Sequence, residues 1–286
     1  MTMYRFYAEG RIRKHLASVE LRDLKRPAVA AMIRALVEAG DGPTTIHRCV
    51  AALRSALTAA VRASLIPTNP ARDVELPRRT TARANPWEPG ELAAILTEAQ
   101  TDRLGVLFEP LAFTGMRRGE ALALRWDKVD LFTRQLQVRR QVVQGQTPIC
   151  QWCGGSHKVA WREPKTAAGT RIVEMDKQTA AMMHGHRKAQ QIERDHWAGV
   201  YTDHGLVFAR ENGLPLYPTV VTHRFASIVA RTATAGPEGS ATLRMIELHD
   251  LRHGAASLGI AAGVPIEVVS KRLGVMPTRV VDSWVW

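Results

Sequence analysis

Residues 113–126 read FTGMRRGEALALRW, and this stretch joins two helix-favouring segments through a turn that carries two consecutive arginines. Apolar residues on both sides of the turn favour helix, and Gly115 favours a break between the two segments. Arg117 and Arg118 follow directly after the break. They could be ordinary surface residues of a helix, but two guanidinium groups at such a turn are explained better by a binding site for a phosphate group.

Residues 1–76, which precede this stretch, are predicted to form a helical domain. Apolar residues recur at helical spacing over residues 29–37 and again over residues 50–61. The breaker sequence GDGP separates the two runs, and Thr44 or Thr45 is expected to cap the second helix. Both helices therefore present an apolar face that a small domain core can bury.

Residues 77–88 are basic and rich in proline, which predicts a linker between two domains. The second domain, residues 89–286, combines helical segments with two segments that favour β-structure. These are LQVRRQVV at residues 136–143 and TRIVEM at residues 170–175, and helices are expected again from about Lys177. The predicted fold class is therefore α+β, mostly α-helical, with a small antiparallel sheet in the second domain.

The charge of the chain favours a polyanionic partner. Thirty-nine Lys and Arg stand against 27 Asp and Glu, which gives a formal net charge of +12. DNA, RNA and an acidic membrane surface are the polyanions that such a charge attracts. Arg48, Arg54 and Arg62 lie along the second predicted helix, where they either contact DNA or form a solvated polar face.

Membrane insertion and secretion are not expected from the sequence. It contains no run of about 18 apolar residues, which is the length that crosses a bilayer, and its first residues lack the apolar region of a secretory signal. The three cysteines, Cys49, Cys150 and Cys153, do not form a disulfide framework. These features favour a protein of the reducing cytoplasm.

Three motifs occur in an order that resembles the tyrosine recombinase, or phage integrase, family. TGMR at residues 114–117 resembles the T-G-x-R turn of the family, PKT at residues 164–166 resembles its hairpin lysine motif, and HDLRH at residues 249–253 resembles its H-x-x-R box. Each pattern is short, but their joint order behind a basic helical domain is specific. The resemblance extends over nearly the whole chain.

The resemblance implies a set of catalytic roles. Arg117 and Arg252 would hold the non-bridging oxygens of the scissile phosphate, because a guanidinium offers paired donors and a fixed charge. Lys165 would give a proton to the leaving 5′-oxygen, and His249 would take the proton of the attacking hydroxyl. No cofactor or metal is expected, since the two arginines take the place of Mg²⁺ in other phosphoryl transfers.

The resemblance also implies an architecture and partners. Residues 1–76 would be a core-binding, SAM-like helical domain, and residues 89–286 a catalytic-type domain. In this family the two domains form a clamp around duplex DNA. The expected partners are therefore double-stranded DNA at an attachment-site core and other recombinase protomers on that DNA. A membrane is not an expected partner.

The chain departs from the family pattern near its end. Val275 stands where the third motif has His or Trp, and valine can neither donate to nor accept from a phosphate oxygen. The nucleophilic tyrosine is expected near Val285, yet no tyrosine occurs after Tyr217. We interpret the segment from about Val275 as out of frame or truncated relative to an active parent. Two functions stay open: an active integrase, or an inactive remnant that only binds DNA.

A Cys-x-x-Cys motif precedes the hairpin lysine. Cys150 and Cys153, followed by His157, could bind zinc, but a fourth ligand is not evident nearby. A cysteine-rich turn without a metal is the interpretation that the sequence favours.

Overall fold

The computed structural model describes residues 3–79, 88–144, 159–164, 169–235 and 247–275. The chain separates into two compact units, Met1–Ala82 and Arg83–Trp286. The first unit is helical, and the second combines helices with small antiparallel sheets. The predicted fold class is therefore confirmed.

The first unit is built around two amphipathic helices. Its elements are α1 (Met3–Tyr7), a π-helical turn (Ala8–Ile12), α2 (Arg13–Leu16), a 3-10 turn (Leu21–Asp23), α3 (Arg26–Glu38) and α4 (Pro43–Arg62). Helices α3 and α4 bury most of the apolar residues whose spacing predicts them, including Val29, Met32, Val50 and Leu53, whereas Val37 is 50% exposed. Burial of these side chains is the main source of stability for such a small unit.

The start of helix α4 corrects the predicted cap. Gly42 occupies the N-cap position in extended backbone, and Pro43 follows as the first helical residue. Thr44 and Thr45 therefore lie inside the first turn and not before it. Proline suits this position because its fixed φ matches the helix and because a backbone N–H there would have no helical partner.

The second unit contains seven α-helices within its described residues. They are α5 (Pro89–Ala99), α6 (Phe108–Thr114), α7 (Arg118–Leu122), α8 (Lys177–Trp197), α9 (Pro218–Ala235), α10 (Asp250–Ala261) and α11 (Ile266–Leu273). The core is centred on buried aromatic side chains, and the rings of Phe108 and Phe225 lie with centroids 5.0 Å apart. In the described part of the chain, every helix is too short or too polar to cross a membrane.

The described strands form two antiparallel sheets. One sheet has the order β1–β2–β5 and the other pairs β3 with β4. The strands are β1 (Val129–Asp130), β2 (Gln135–Val138), β3 (Gln141–Gln144), β4 (Val159–Arg162) and β5 (Arg171–Glu174). Leu136 of β2 lies opposite Val173 of β5, and both side chains are buried.

The segment 136–143, predicted as one β-like segment, is divided between the two sheets. Strand β2 ends at Val138 and β3 begins at Gln141, and the two exposed residues between them are Arg139 and Arg140. A continuous strand would place Arg140 on the same face as buried Leu136 and Val138. Burying a guanidinium is costly, and the chain leaves the first sheet at this point.

Gly115 is the point at which three helices of the second unit approach each other. It ends α6 in the left-handed conformation, with φ +64° and ψ +22°. A Cβ atom at this position would lie 2.4 Å from Cδ2 of Leu273, the last residue of α11, and 3.4 Å from Cβ of Ala255 in α10. Only glycine fits both the backbone conformation and the space.

We expect the Gly115→Ala substitution to lower the free energy of unfolding by about 1–2 kcal/mol or more, because the left-handed backbone becomes strained and Leu273 must move. Gly185→Ala is the matched control. Gly185 is exposed within α8, and no neighbouring atom lies within 4 Å of the place that an added methyl group would occupy, so alanine there should stabilise by about 0.5–1 kcal/mol. Urea unfolding monitored by tryptophan fluorescence measures both, and equal effects of the two substitutions would contradict the packing described for Gly115.

Candidate functional site

Arg117 is held at the start of helix α7 by a carboxylate one turn further on. Its backbone N–H donates to Oε2 of Glu120 at 2.8 Å, and its side-chain Nη1 donates to Oε1 of the same residue at 2.8 Å. The Arg117 side chain is 38% exposed. One edge of the guanidinium is thus fixed by Glu120, and the rest of the side chain is accessible to a ligand.

Arg252 lies on helix α10 and is almost fully buried. Its Nη1 donates to the carbonyl oxygen of Gly115 and its Nη2 to that of Leu273, each at 2.5 Å. Burial, together with the nearby charge of Arg117, lowers the pKa of Arg252 to about 9. The guanidinium therefore remains positively charged at neutral pH, beside the turn that leads to Arg117.

His249 occupies the position directly before helix α10. Its ring lies edge-on to the ring of His253, with centroids 5.2 Å apart and an interplanar angle of 90°. Burial lowers the pKa of His249, and the positive charges of Arg252 and Arg117 lower it as well. The imidazole is therefore neutral at neutral pH, which is the state that can accept a proton.

Glu120 is a buried carboxylate that the sequence motifs did not identify. Its side chain is 2% exposed and accepts hydrogen bonds from both Arg117 and Arg171. Burial acts to raise the pKa of Glu120, but the hydrogen bonds and charge of Arg171, together with the hydrogen bonds from Arg117, bring the pKa below its usual value. A glutamate three residues after the helix start is the acidic half of a capping box, and this spacing is the signal for Glu120 that the sequence contains.

Arg171, the first residue of β5, was also missed. Its side chain is only 5% exposed, whereas the next residue, Ile172, is 58% exposed. A buried arginine beside an exposed isoleucine reverses the usual preference of the two residue types. Strand alternation places Arg171 on the face of buried Val173, whereas its charge favours the exposed face, so the sequence gives two conflicting indications.

The end of helix α11 lies next to these arginines, because its last carbonyls accept hydrogen bonds from Arg252 and Arg171. Arg272 is exposed, and its Nη2 donates to the carbonyl oxygens of Phe113 at 2.8 Å and Glu174 at 3.2 Å. Val275 follows, with its backbone N–H donating to the Ser270 carbonyl at 3.1 Å. Its half-buried side chain packs against a small apolar cluster formed by α10 and α11. The surroundings of Val275 are thus apolar.

Several predicted residues lie outside the described part of the chain. These are Lys165, the expected nucleophile position near Val285, and the two cysteines Cys150 and Cys153. Among the residues that the structure does describe, no group of three or more His, Cys, Asp or Glu side chains is arranged to hold a metal ion.

The three arginines predicted on helix α4 differ in their surroundings. Arg48 and Arg62 are exposed, and their separation of 14 residues places them close to the same face of the helix. Arg54 is half-buried, and its Nε donates to the carbonyl oxygen of Ala71 at 2.9 Å. Arg54 therefore connects α4 to the loop that follows it.

Known proteins that are similar to this chain in sequence include integrases and tyrosine recombinases. The integrase of Saccharopolyspora erythraea is 25% identical over 281 residues, which cover 84% of this chain and 62% of that protein. A XerC-like tyrosine recombinase of Caldanaerobacter subterraneus is 25% identical over 280 residues, covering 93% of this chain and 69% of that protein. This chain thus spans 62–69% of the length of these two relatives.

Solved structures of integrases share the fold. The Tn1549 transposon integrase in complex with transposon right end DNA matches with a TM-score of 0.75 at 18% identity, over 99% of this chain and 95% of that one. A lambda integrase dimer bound to a core site matches with a TM-score of 0.63 at 17% identity, over 96% of this chain and 69% of that one. The model of the phage integrase family matches residues 88–280. With that match covering most of its length, this chain belongs to the phage integrase family.

Proposed function

We propose that this chain, a relative of the site-specific recombinases of phages and mobile elements, binds duplex DNA, and that Arg117, His249 and Arg252 hold one DNA phosphate. The observation that carries the proposal is the hydrogen bond from Arg252 to the Gly115 carbonyl, which joins two motifs 137 residues apart in sequence. Gly115 lies two residues before Arg117 in the same turn, and the positive charge of Arg117 adds to burial in lowering the pKa of Arg252.

The chemistry of strand exchange requires such a group of side chains. Attack on a phosphodiester builds negative charge on the non-bridging oxygens, and two guanidiniums stabilise that charge with directed N–H donors. A neutral imidazole at His249 can accept the proton of an attacking hydroxyl. Lys165 is our candidate for the group that protonates the leaving oxygen, because of its place in the PKT motif.

None of the four tyrosines of the chain lies in a motif that resembles the nucleophile motif of the family. Tyr4 and Tyr7 belong to the first unit, and Tyr7 is buried in its core. Burial raises the pKa of Tyr201, and the ring of Tyr217 lies beneath the guanidinium of Arg210 at 4.4 Å. We therefore propose that these 286 residues hold a DNA phosphate without forming a covalent bond to it.

Cleavage and rejoining of DNA is the second candidate function, and family membership favours it. A nicked duplex, in which cleavage releases a short fragment, traps any covalent protein–DNA intermediate. The duplex would first be selected from a random pool by its affinity for this chain. We expect binding without a covalent adduct on a denaturing gel. An adduct that forms with the wild-type chain and is lost in Arg117→Ala would establish cleavage instead.

Assembly of several copies on DNA is part of the proposal. The related lambda integrase structures include a dimer bound to a core site and a tetramer bound to a Holliday junction. The net charge of +12 supports binding to the polyanion, since basic residues release condensed counterions from DNA. We expect affinity to fall steeply as the salt concentration rises.

The exposed arginines of helix α4 provide a test of DNA contact by the first unit. We expect Arg48→Ala and Arg62→Ala each to reduce the slope of log affinity against log salt concentration by about one, as loss of one phosphate contact does. Fluorescence anisotropy with the selected duplex measures this slope. Arg34→Ala, which removes an exposed arginine from α3, is the control. An equal effect of all three substitutions would point to net charge and not to the face of α4.

A further inference from the structure

Arg171 is a buried guanidinium next to the proposed phosphate site, although none of the proposed phosphate contacts involves it. Its side chain is 5% exposed on the edge strand β5. A buried arginine is costly to retain unless its donors are satisfied and its charge is balanced. The partners of Arg171 therefore indicate what this residue does.

The first partner is Glu120, which Arg171 contacts with both terminal nitrogens. Nη2 donates to Oε2 at 2.8 Å and Nη1 to Oε1 at 3.2 Å. Each of these oxygens also accepts one hydrogen bond from Arg117, from the backbone N–H at Oε2 and from Nη1 at Oε1. The carboxylate is thus fixed between two arginines, and its orientation determines where the edge of the Arg117 guanidinium lies.

The second partner is the carboxyl end of helix α11. Nε of Arg171 donates to the carbonyl oxygen of Arg272 at 2.6 Å, and the next carbonyl, that of Leu273, accepts from Arg252 at 2.5 Å. The last carbonyls of a helix lack helical partners and carry partial negative charge. Two buried guanidiniums therefore bind consecutive carbonyls at the same helix end.

We infer that Arg171 is a positioning residue that fixes Arg117, through Glu120, relative to Arg252, through the end of α11. The inference rests on the proposed role of Arg117 and Arg252 as phosphate ligands. Only a guanidinium can make these contacts together, because Nε and the two terminal nitrogens lie in one plane and point in different directions. A lysine keeps the charge, but its single ammonium cannot hold Glu120 with two parallel bonds and also reach Arg272.

Substitution of Arg171 by lysine separates a positioning role from a purely structural one. We expect Arg171→Lys to weaken the binding of inorganic phosphate by on the order of tenfold in the folded protein, because the two phosphate ligands lose their common support. The readout is the ¹⁵N chemical shift of the Nε groups of Arg117 and Arg252 during titration with phosphate. These signals come from folded molecules, so a loss of stability alone does not change the dissociation constant.

Arg103→Lys is the matched control. Arg103 also donates to both oxygens of a glutamate, Glu193, at 2.5 and 2.6 Å, and to one backbone carbonyl, that of Ala209, at 3.1 Å. Neither Glu193 nor Ala209 is hydrogen-bonded to Arg117, Glu120 or Arg252 in these contacts, so substitution of Arg103 should leave the affinity for phosphate unchanged. A similar loss of affinity in Arg103→Lys and Arg171→Lys would overturn the positioning role.

Two further outcomes distinguish this inference from the function on which it rests. If neither Nε signal of the wild-type protein responds to phosphate, or if Arg117→Ala leaves the affinity unchanged, the proposed phosphate site is wrong. If Arg117→Ala weakens binding but Arg171→Lys leaves the dissociation constant within about twofold of the wild-type value, a difference too small for the loss of a charged hydrogen bond, the phosphate site stands and the role of Arg171 is wrong.

Discussion

Glu120→Gln is expected to lower the free energy of unfolding of the second unit by about 3–5 kcal/mol, because it leaves the buried charge of Arg171 without a counter-charge. Glutamine has nearly the same shape as glutamate, so the loss cannot be attributed to a cavity. All seven tryptophans lie after residue 82, and tryptophan fluorescence during urea unfolding therefore reports on the second unit alone.

Glu193→Gln is the control for this substitution. The pair of Glu193 with Arg103 is also bidentate, but its side chains are 26% and 31% exposed, compared with 2% and 5% in the pair of Glu120 with Arg171. Solvent screens the more exposed pair, so its loss should cost no more than about 1 kcal/mol. An equal loss of unfolding free energy in the two substitutions would contradict the claim that burial makes the stability more dependent on Glu120.

The effect of Glu120→Gln should depend on pH in a defined direction. The pKa of Glu120 is lower in the folded protein than its usual value of 4.5. A group of this kind contributes stability that is fully present above its unfolded pKa and is lost as the pH falls through its folded pKa. The difference in unfolding free energy between wild type and Glu120→Gln should therefore be constant near neutral pH and shrink below pH 4.5.

Arg252→Lys is expected to reduce both stability and DNA binding while keeping the charge. One ammonium cannot replace the two nitrogens that bind the Gly115 and Leu273 carbonyls. A carbonyl left buried without a donor costs about 1–3 kcal/mol. The affinity for the selected duplex should fall on the order of tenfold, because a lysine ammonium cannot keep both carbonyl contacts and also offer the N–H donors that Arg252 has left for the proposed phosphate.

Arg231→Lys is the comparison for Arg252→Lys. Arg231 lies on helix α9, is 46% exposed and binds Glu98 at 2.6 Å, so its replacement should change the unfolding free energy by less than about 1 kcal/mol. Urea unfolding and fluorescence anisotropy measure the two effects. If Arg252→Lys kept the stability and the DNA affinity of the wild type, the guanidinium of Arg252 would not be required for either.

The helices of this chain could be predicted from local patterns. The apolar spacing that predicts α3 and α4 also describes the residues that their core buries, because the period of a helix is set by neighbouring residues alone. The motifs around Arg117 and Arg252 could likewise be identified from short sequences. Whether the Arg252 side chain reaches the turn before Arg117 depends on a contact across 137 residues, which no local pattern contains.

The strands and the buried ion pair were harder to predict for the same reason. LQVRRQVV alternates like one strand, but its halves pair with partners in two different sheets. Arg171 is 51 residues from Glu120 in sequence, and burial of its charge is tolerable only when that carboxylate is in place. Such a pair is a property of the tertiary structure.

The central claim is that Arg117 belongs to a DNA phosphate site, and its contribution to binding is the most direct test. The affinity of Arg117→Ala for the selected duplex would be measured over a range of salt concentrations, beside Lys188→Ala, which removes an exposed charge from α8. We predict that Arg117→Ala lowers the affinity on the order of tenfold and reduces the slope of log affinity against log salt concentration by about one. Lys188→Ala should keep the affinity and the slope close to those of the wild type. Identical curves for the two substitutions would contradict the phosphate site.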